Sequence, residues 1–370
     1  MPPFCCRRDT YRIRRFCGSG DLTCRAIYDP RRRITAGQGA VVEQGTGQGG
    51  TDRRRLVAVV VTYNRLAQLK VTLSRLLAVP PADLAAVVVV DNASTDGTGD
   101  WLQTQHDSRL DLRPLPDNRG GAGGFEAGMK AAMADHAPDW IVVMDDDARP
   151  QEGALAAFHA MDLDGWDAAA AAVFFPDGRI CEMNRPSRNP FWHLPIFLRT
   201  VFRVGRRSGF HLGAPDYAAG AAPIRIDITS FVGFFVSATM VEKIGYPDPS
   251  LFVYGDDGIY TLGLSRAGGR IGFLPSVRFE HDCSTLSDDG RFRPLWKVYY
   301  YHRNLLILYR LAAGWIFWPL LLVVLPKWLW KGRAHGGQRR AFYRLLGRAI
   351  RDGLLGTRGV PHREILKLAE

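Results

Sequence analysis

Trp140-Ile141-Val142-Val143-Met144-Asp145-Asp146-Asp147-Ala148 decides how this 370-residue chain is read. The apolar run Trp140 to Val143 has the composition of a buried strand, and it empties into three adjacent carboxylates. Such a cluster repels itself unless positive charge sits beside it. A divalent cation is the usual partner, because hard cations take carboxylate oxygens. A cation that also holds a diphosphate would serve phosphoryl or glycosyl chemistry. The plainer alternative is a solvated acidic turn after a strand, and the surrounding sequence decides between the two.

Upstream, Leu56-Val57-Ala58-Val59-Val60-Val61 is a β-branched run that reads as a buried parallel strand and ends in Thr62-Tyr63-Asn64-Arg65. Leu66, Leu69, Leu73, Leu76 and Leu77 then recur at helical spacing until Pro80 and Pro81 stop the helix. A second buried strand, Ala86 to Val90, ends in Asp91-Asn92-Ala93-Ser94-Thr95-Asp96-Gly97-Thr98. Two strand–helix units place Thr62, Tyr63 and Asp91 at the carboxyl ends of neighbouring strands, the edge where open α/β sheets bind ligands. Asp96 and Thr98 fit a helix cap or turn better than Asp91 does. A third segment, Asp117-Asn118-Arg119-Gly120-Gly121-Ala122-Gly123-Gly124, predicts a glycine-rich loop whose backbone approaches a ligand, with a helix beginning after it. The fold class expected from this order is α/β.

These segments resemble the family 2 inverting glycosyltransferases of the GT-A fold, most of all their galactofuranosyltransferase branch, with the rhamnosyltransferase branch close behind. The matching residues are Val59 to Arg65, Asp91 to Thr98, Asn118 to Gly124 and Asp145-Asp146-Asp147. Leu251-Phe252-Val253-Tyr254-Gly255-Asp256-Asp257-Gly258-Ile259-Tyr260 looks like the family's acidic acceptor-site motif, and Phe279-Glu280-His281-Asp282 is a further match. The resemblance implies a Rossmann-like mixed sheet flanked by helices. It also implies a nucleotide-sugar donor, a UDP-sugar or dTDP-sugar, with Thr62, Tyr63, Asn64, Arg65, Asp91, Asn92, Arg119, Gly120, Asp145 and Asp146 on the nucleotide side. Asp145, Asp147 and His281 would hold Mn²⁺ or Mg²⁺, and Asp257 would be the general base, with Asp256 as its rival. A glycan or lipid-linked glycan would be the acceptor, in cell-surface polysaccharide synthesis. One position departs from the pattern: many members carry an acidic residue two positions after the base, where this chain has Ile259. Taken alone, His281 also fits a hydrogen-bonded loop histidine. A nucleotidyltransferase, with Arg119 set against a triphosphate, and an inactive UDP-binding member are the alternatives.

Composition fits an enzyme of this size. The formal net charge of +11 is concentrated: residues 1–55 hold twelve Arg, no Lys and five acidic residues, a net of +7, which leaves +4 for the rest. That segment lacks apolar periodicity and an uninterrupted hydrophobic stretch, so residues 1–54 read as a disordered basic extension and not as a secretory signal. Residues 55–290 read as the catalytic domain and 291–370 as a helical, aromatic and basic C-terminal region. Cys181 and Cys283, the cysteines of the expected folded part, predict no disulfide framework and suit a reducing compartment.

Residues 182–222 scatter aromatics among arginines and read as an insertion covering the acceptor. Leu311 to Pro326 is sixteen residues without a charge, followed by Lys327-Trp328-Leu329-Trp330-Lys331 and a series of arginines. The run is shorter than the ~20 residues of a spanning helix and contains Pro319. A segment lying in the membrane interface is expected, with a buried helix as the alternative. The protein is therefore expected to be cytoplasmic and peripheral on the inner face of the cell membrane. No aromatic–basic motif points to nucleic acid.

Overall fold

A computed structural model describes residues 53–202, 207–218, 220–283 and 291–370. Most of the predicted N-terminal extension, residues 1–52, lies outside the described residues.

The two valine-rich runs form β1 (Leu56–Thr62) and β2 (Ala86–Asp91), buried along their whole length. They pair in parallel, with β3 (Leu110–Pro114) beyond β2 and β4 (Trp140–Asp145) beyond β1. The register sets Thr62 against Asp91 and Val61 against Asp145, so three strands deliver polar residues to one edge. Helices α1 (Leu66–Leu77), α2 (Thr98–Gln103) and α3 (Gly120–Asp135) make the crossovers. There follow β5 (Ala148–Pro150), α4 (Ala154–His159), β6 (Ala168–Phe174), α5 (Leu194–Phe202), β7 (Ile224–Ile226), β8 (Phe234–Ser237), α6 (Ala238–Ile244), α7 (Asp256–Arg266) and β9 (Ile271–His281). Among the described residues the sheet runs β3-β2-β1-β4-β8-β6-β9-β5, with β7 also on β9. β8 lies antiparallel to β4 and β6, which makes the sheet mixed.

Alternation along β1 feeds two cores. Leu56, Ala58 and Val60 face Leu69, Leu73 and Leu76 of α1 and Phe158 of α4. Val57, Val59 and Val61 face Phe125 and Met129 of α3, in a core that also takes Tyr260 and Leu264 of α7. The glycine-rich segment is not the loop that the sequence predicts: α3 begins at Gly120, inside it. The reason is packing. A Cβ at Gly124 would lie 2.4 Å from Val61 Cγ1, and one at Gly128 would lie 2.4 Å from Val59 Cγ1. Bare backbone lets α3 rest directly on β1.

A third core is built by α8 (Lys297–Ala313), α9 (Phe317–Lys331), α10 (Arg339–Leu355) and α11 (His362–Ala369). The uncharged run predicted as one segment is divided: α8 ends at Ala313, Gly314 (φ +56°) turns the chain, and α9 begins at Phe317. Pro319 falls in the first turn of α9, where its missing N–H forfeits no helical bond. Phe317, Leu321 and Trp328 face inward at helical spacing, with Trp328 against His302 and Tyr309 of α8. The opposite face is apolar and exposed: Trp318 is 61% exposed, Leu322 78% and Trp330 66%, and Trp315 just before the helix is 80% exposed. Taken as one helical stretch, Lys297–Leu355 is long and apolar enough to cross a membrane. Gly314 and Gly336 (φ +47°) break it, and α9 alone is about 22 Å long at 1.5 Å per residue.

Candidate active site

The acidic end of β4 is closed from the far side of the sheet. β5 pairs antiparallel with the end of β9, setting Ala148 opposite His281, and the Asp282 amide donates to the Asp147 carbonyl at 2.9 Å. This pairing carries His281 to Asp147, with Nε2 3.2 Å from Oδ1. The ligand atoms of Asp145, Asp147 and His281 all lie within 4.8 Å of one another.

The other ring nitrogen fixes the tautomer. His281 Nδ1 lies 2.7 Å from Asn184 Oδ1, an acceptor whose amide nitrogen donates to Ser230 Oγ at 2.8 Å. The ring hydrogen therefore sits on Nδ1, and the Nε2 lone pair points at a carboxylate oxygen. Either a proton or a cation must stand between them. Two carboxylates and a neutral imidazole make a donor set that fits Mn²⁺ or Mg²⁺.

The electrostatics agree. Burial, with the charges of Asp147 and Asp146 beside it, pushes Asp145 up to about 8. Burial also pushes Asp146 up to about 6, opposed by a hydrogen bond from Thr62 and by Arg65. Burial works against Asp147 as well, but the contact with His281 and the Arg65 charge outweigh it and hold this carboxyl below its ordinary range. The three acids are thus unequal. Asp146 is engaged with Thr62 Oγ1 at 2.7 Å and lies 3.6 Å from Arg65, and its carbonyl accepts from Thr72 at 2.7 Å. Asp147 gives Oδ2 to Arg65 and turns Oδ1 to His281. Asp145 makes no such pairing among the described residues.

At the ends of β1 and β2, Thr62, Asp91 and Asn92 are buried and Tyr63 is exposed. Asp91 Oδ1 accepts from the Ser94 amide at 3.0 Å. Asn64, with φ +53°, exchanges bonds with Ser94 and Thr95, pinning the β1 loop to the β2 loop. Asp96 caps α1 through the Leu66 amide at 3.0 Å and also binds Thr98. Asn92 accepts from the Arg119 amide at 2.9 Å and donates to the Gly120 carbonyl at 2.8 Å, holding the start of α3. Gly120 has φ +71°, and a Cβ there would meet the Phe252 carbonyl at 2.1 Å. Arg119 itself lies 3.4 Å from Glu126.

Gly120 thereby touches the loop that precedes Asp256 and Asp257. Both acids occupy the first turn of α7, where the helix dipole favours a carboxylate. Burial, together with Asp257, pushes Asp256 up to about 7, and burial pushes Asp257 up to about 6. Asp256 is buried and Asp257 half-buried, and the charge of Asp256 reaches Asp145.

Two residues that the sequence reading passed over hold this loop. Phe252 and Tyr254 adopt φ of +66° and +69°, a costly backbone for such side chains. Asn304 Nδ2 donates to the carbonyls of Leu251, Val253 and Tyr254 at 3.0, 2.9 and 2.7 Å. Arg303 Nη2 donates to Ser250 and Leu251 at 3.1 and 2.9 Å. Both side chains are buried. The signal was present as His302-Arg303-Asn304, a polar triplet inside an apolar helix. Lys297, also missed, lies over Tyr254 and close to Arg65; burial, then the Arg65 charge, holds its ammonium below the ordinary lysine range.

Residues 57–229 match the family model "Glycosyl transferase family 2". The galactofuranosyltransferase GlfT1 of Mycolicibacterium smegmatis is 29% identical over 255 residues, covering 64% of this chain and 73% of that protein. The undecaprenyl-phosphate mannosyltransferase of Micrococcus luteus is 39% identical over 104 residues, covering 26% of this chain and 40% of that one. Among solved structures, the mannosyltransferase PcManGT from Pyrobaculum calidifontis, in complex with GDP-Man and Mn²⁺, aligns at 20% identity and a TM-score of 0.47 over 86% of this chain and 79% of that chain. From β1 to β7 the chain is similar to the family 2 glycosyltransferases, on a mixed sheet whose polar edge gathers the acidic residues.

Proposed function

We propose that this chain transfers a galactofuranosyl group from a UDP-linked donor to a hydroxyl of a lipid-linked glycan, with inversion. One observation carries the reading: a cation-fitting set, Asp145, Asp147 and His281, stands near a carboxylate pair, Asp256 and Asp257, in the first turn of α7. Thr62 and Asp91 bind base and ribose, since a carboxylate accepts the uracil imide hydrogen. Asp145, Asp147 and His281 hold Mn²⁺ or Mg²⁺, which neutralises charge developing on the departing diphosphate. Arg65 and Lys297 add fixed positive charge at that edge. Asp257 takes the proton from the acceptor hydroxyl as its oxygen attacks the anomeric carbon. Its raised proton affinity makes it a better base than an ordinary carboxylate while leaving it ionised at neutral pH. Asp256, the more buried of the pair, orients it. One base and one displacement invert the centre.

The choice of sugar follows the galactofuranosyltransferase relatives. The outer face of α9 supports a lipid-linked acceptor and a place on the inner face of the cell membrane. Its exposed tryptophans and leucines, bordered by Lys327, Lys331, Arg333, Arg339 and Arg340, suit a headgroup boundary.

A donor panel tests the reading. Purified protein with Mn²⁺ is given UDP-galactofuranose, dTDP-rhamnose and GDP-mannose, and the released nucleotide is scored. UDP release from the first donor alone is expected. Release from dTDP-rhamnose instead would replace the sugar, and pyrophosphate release from UTP with a sugar 1-phosphate, with no nucleoside diphosphate released from any of the three donors, would overturn glycosyl transfer itself.

A further inference from the structure

His281 faces a second cluster on its other side. Cys181 is wholly buried just after the end of β6, and Cys283 is half-buried two residues past the end of β9. Cys181 Sγ lies 3.9 Å from His281 Nδ1 and donates to Asn184 Oδ1 at 2.9 Å. The two sulfurs and a nitrogen of His281 lie within 4.8 Å of one another. A tetrahedral Zn²⁺ site with bonds of about 2.3 Å to sulfur and 2.0 Å to nitrogen has edges of about 3.6 Å for S···N and 3.8 Å for S···S. The observed S···N distance is within a few tenths of an ångström of the first.

We propose that Cys181, Cys283 and His281 Nδ1 form a thiolate site for a soft divalent cation such as Zn²⁺, and that filling it withdraws His281 from the donor-site cation. Two thiols lose their protons to solvent as two metal–sulfur bonds form. At the imidazole, the metal takes the place of the hydrogen on Nδ1: where the donor-site cation held Nε2, that hydrogen passes to Nε2 as the cation departs, and where a proton already stood between Nε2 and Asp147, it leaves to solvent with the thiol protons. Nε2 then donates to Asp147 Oδ1, 3.2 Å away, and has no lone pair left to offer. Asn184 Oδ1, released from Nδ1, is free to serve as a fourth ligand. One imidazole thus stands between a hard and a soft site and serves one at a time. The thiolate site stands on its own geometry; the coupling rests on the reading of His281 as a donor-site ligand. Coupling of this kind is reciprocal, so Mn²⁺ with UDP weakens Zn²⁺ as much as Zn²⁺ weakens them.

The test uses the full chain, reduced, with Co²⁺ as a spectroscopic probe. Wild type is expected to give thiolate-to-Co²⁺ charge-transfer absorption that Zn²⁺ abolishes, because Zn²⁺ binds such sites more tightly. Cys283→Ser is expected to lose that absorption and keep Mn²⁺-dependent UDP binding, with Cys181→Ser as a second variant. Zn²⁺ is expected to weaken Mn²⁺-dependent UDP binding by at least about fivefold in wild type, the low end of common coupling, and not in Cys283→Ser. Absence of the absorption from wild type, or its persistence in both serine variants, overturns the site. Absorption without any effect of Zn²⁺ on UDP binding keeps the site and overturns the coupling.

Discussion

Replacing Asn304 with Leu keeps the branched shape of the side chain and removes the clamp on the loop before Asp256. The amide nitrogen serves three carbonyls, and Leu251 keeps two other donors, Arg303 and the Val253 amide. The Val253 and Tyr254 carbonyls lose the one partner they have among the described residues. A buried acceptor left unmade costs about 1–3 kcal/mol; because both residues are half-buried, water recovers part of it. Arg303 Nε also loses the Asn304 Oδ1 acceptor at 2.8 Å. The sum is about 2–3 kcal/mol of global stability, read by urea unfolding. The larger effect is on chemistry. Phe252 and Tyr254 hold backbones that cost on the order of 1–3 kcal/mol each, and without the clamp they relax. A shift of about 1 Å at Asp257 would lower transfer ~10²-fold. UDP with Mn²⁺ should bind within twofold of wild type, a margin of about 0.4 kcal/mol. Wild-type transfer by Asn304→Leu, or loss of UDP binding in step with transfer, would refute the reasoning.

Asp257→Asn should leave donor binding intact and lower transfer at least ~10²-fold, measured as initial rate with saturating donor; if Asp256→Asn is the crippled variant, the base is misassigned by one residue. Mn²⁺ affinity, measured by titration with UDP present, should rise with pH and level off near 8. Asp145, pushed up to about 8, binds a proton in the lower range that the cation must displace. Transfer at saturating Mn²⁺ should fall separately in acid as pH drops through about 6, where Asp257 takes up a proton and ceases to be a base. Charge substitutions on the outer face of α9, Trp318→Glu with Leu322→Glu, should abolish flotation with anionic liposomes while soluble-acceptor activity persists; undiminished flotation would remove the membrane role from α9.

The parts of the fold that the sequence disclosed are those whose signal is local. β1, β2 and β4 are uninterrupted apolar runs, and each hands a polar residue to the same edge, so Thr62, Asp91 and Asp145 can be placed without knowing the rest. The glycines of α3 were misread because a glycine-rich stretch looks alike whether backbone approaches a ligand or a neighbouring strand; only Val59 and Val61 across the interface distinguish the two. The single uncharged run before Lys327 concealed the break at Gly314, a residue whose positive φ leaves no mark on hydropathy. The clamp of Arg303 and Asn304 acts on a loop some fifty residues away, and Cys181 meets His281 across 100 residues. The first depends on α8 returning to the loop before α7 and the second on β9 lying beside β6, which no local pattern encodes.

UDP binding measured calorimetrically with and without Mn²⁺, in wild type and Asp147→Ala, bears most directly on the cation-assisted site. Wild type should bind UDP tightly only with Mn²⁺, and Asp147→Ala should lose that dependence while unfolding cooperatively like the parent. Equal UDP affinity in Mn²⁺ and in EDTA, or an unchanged Mn²⁺ dependence in Asp147→Ala, would contradict it.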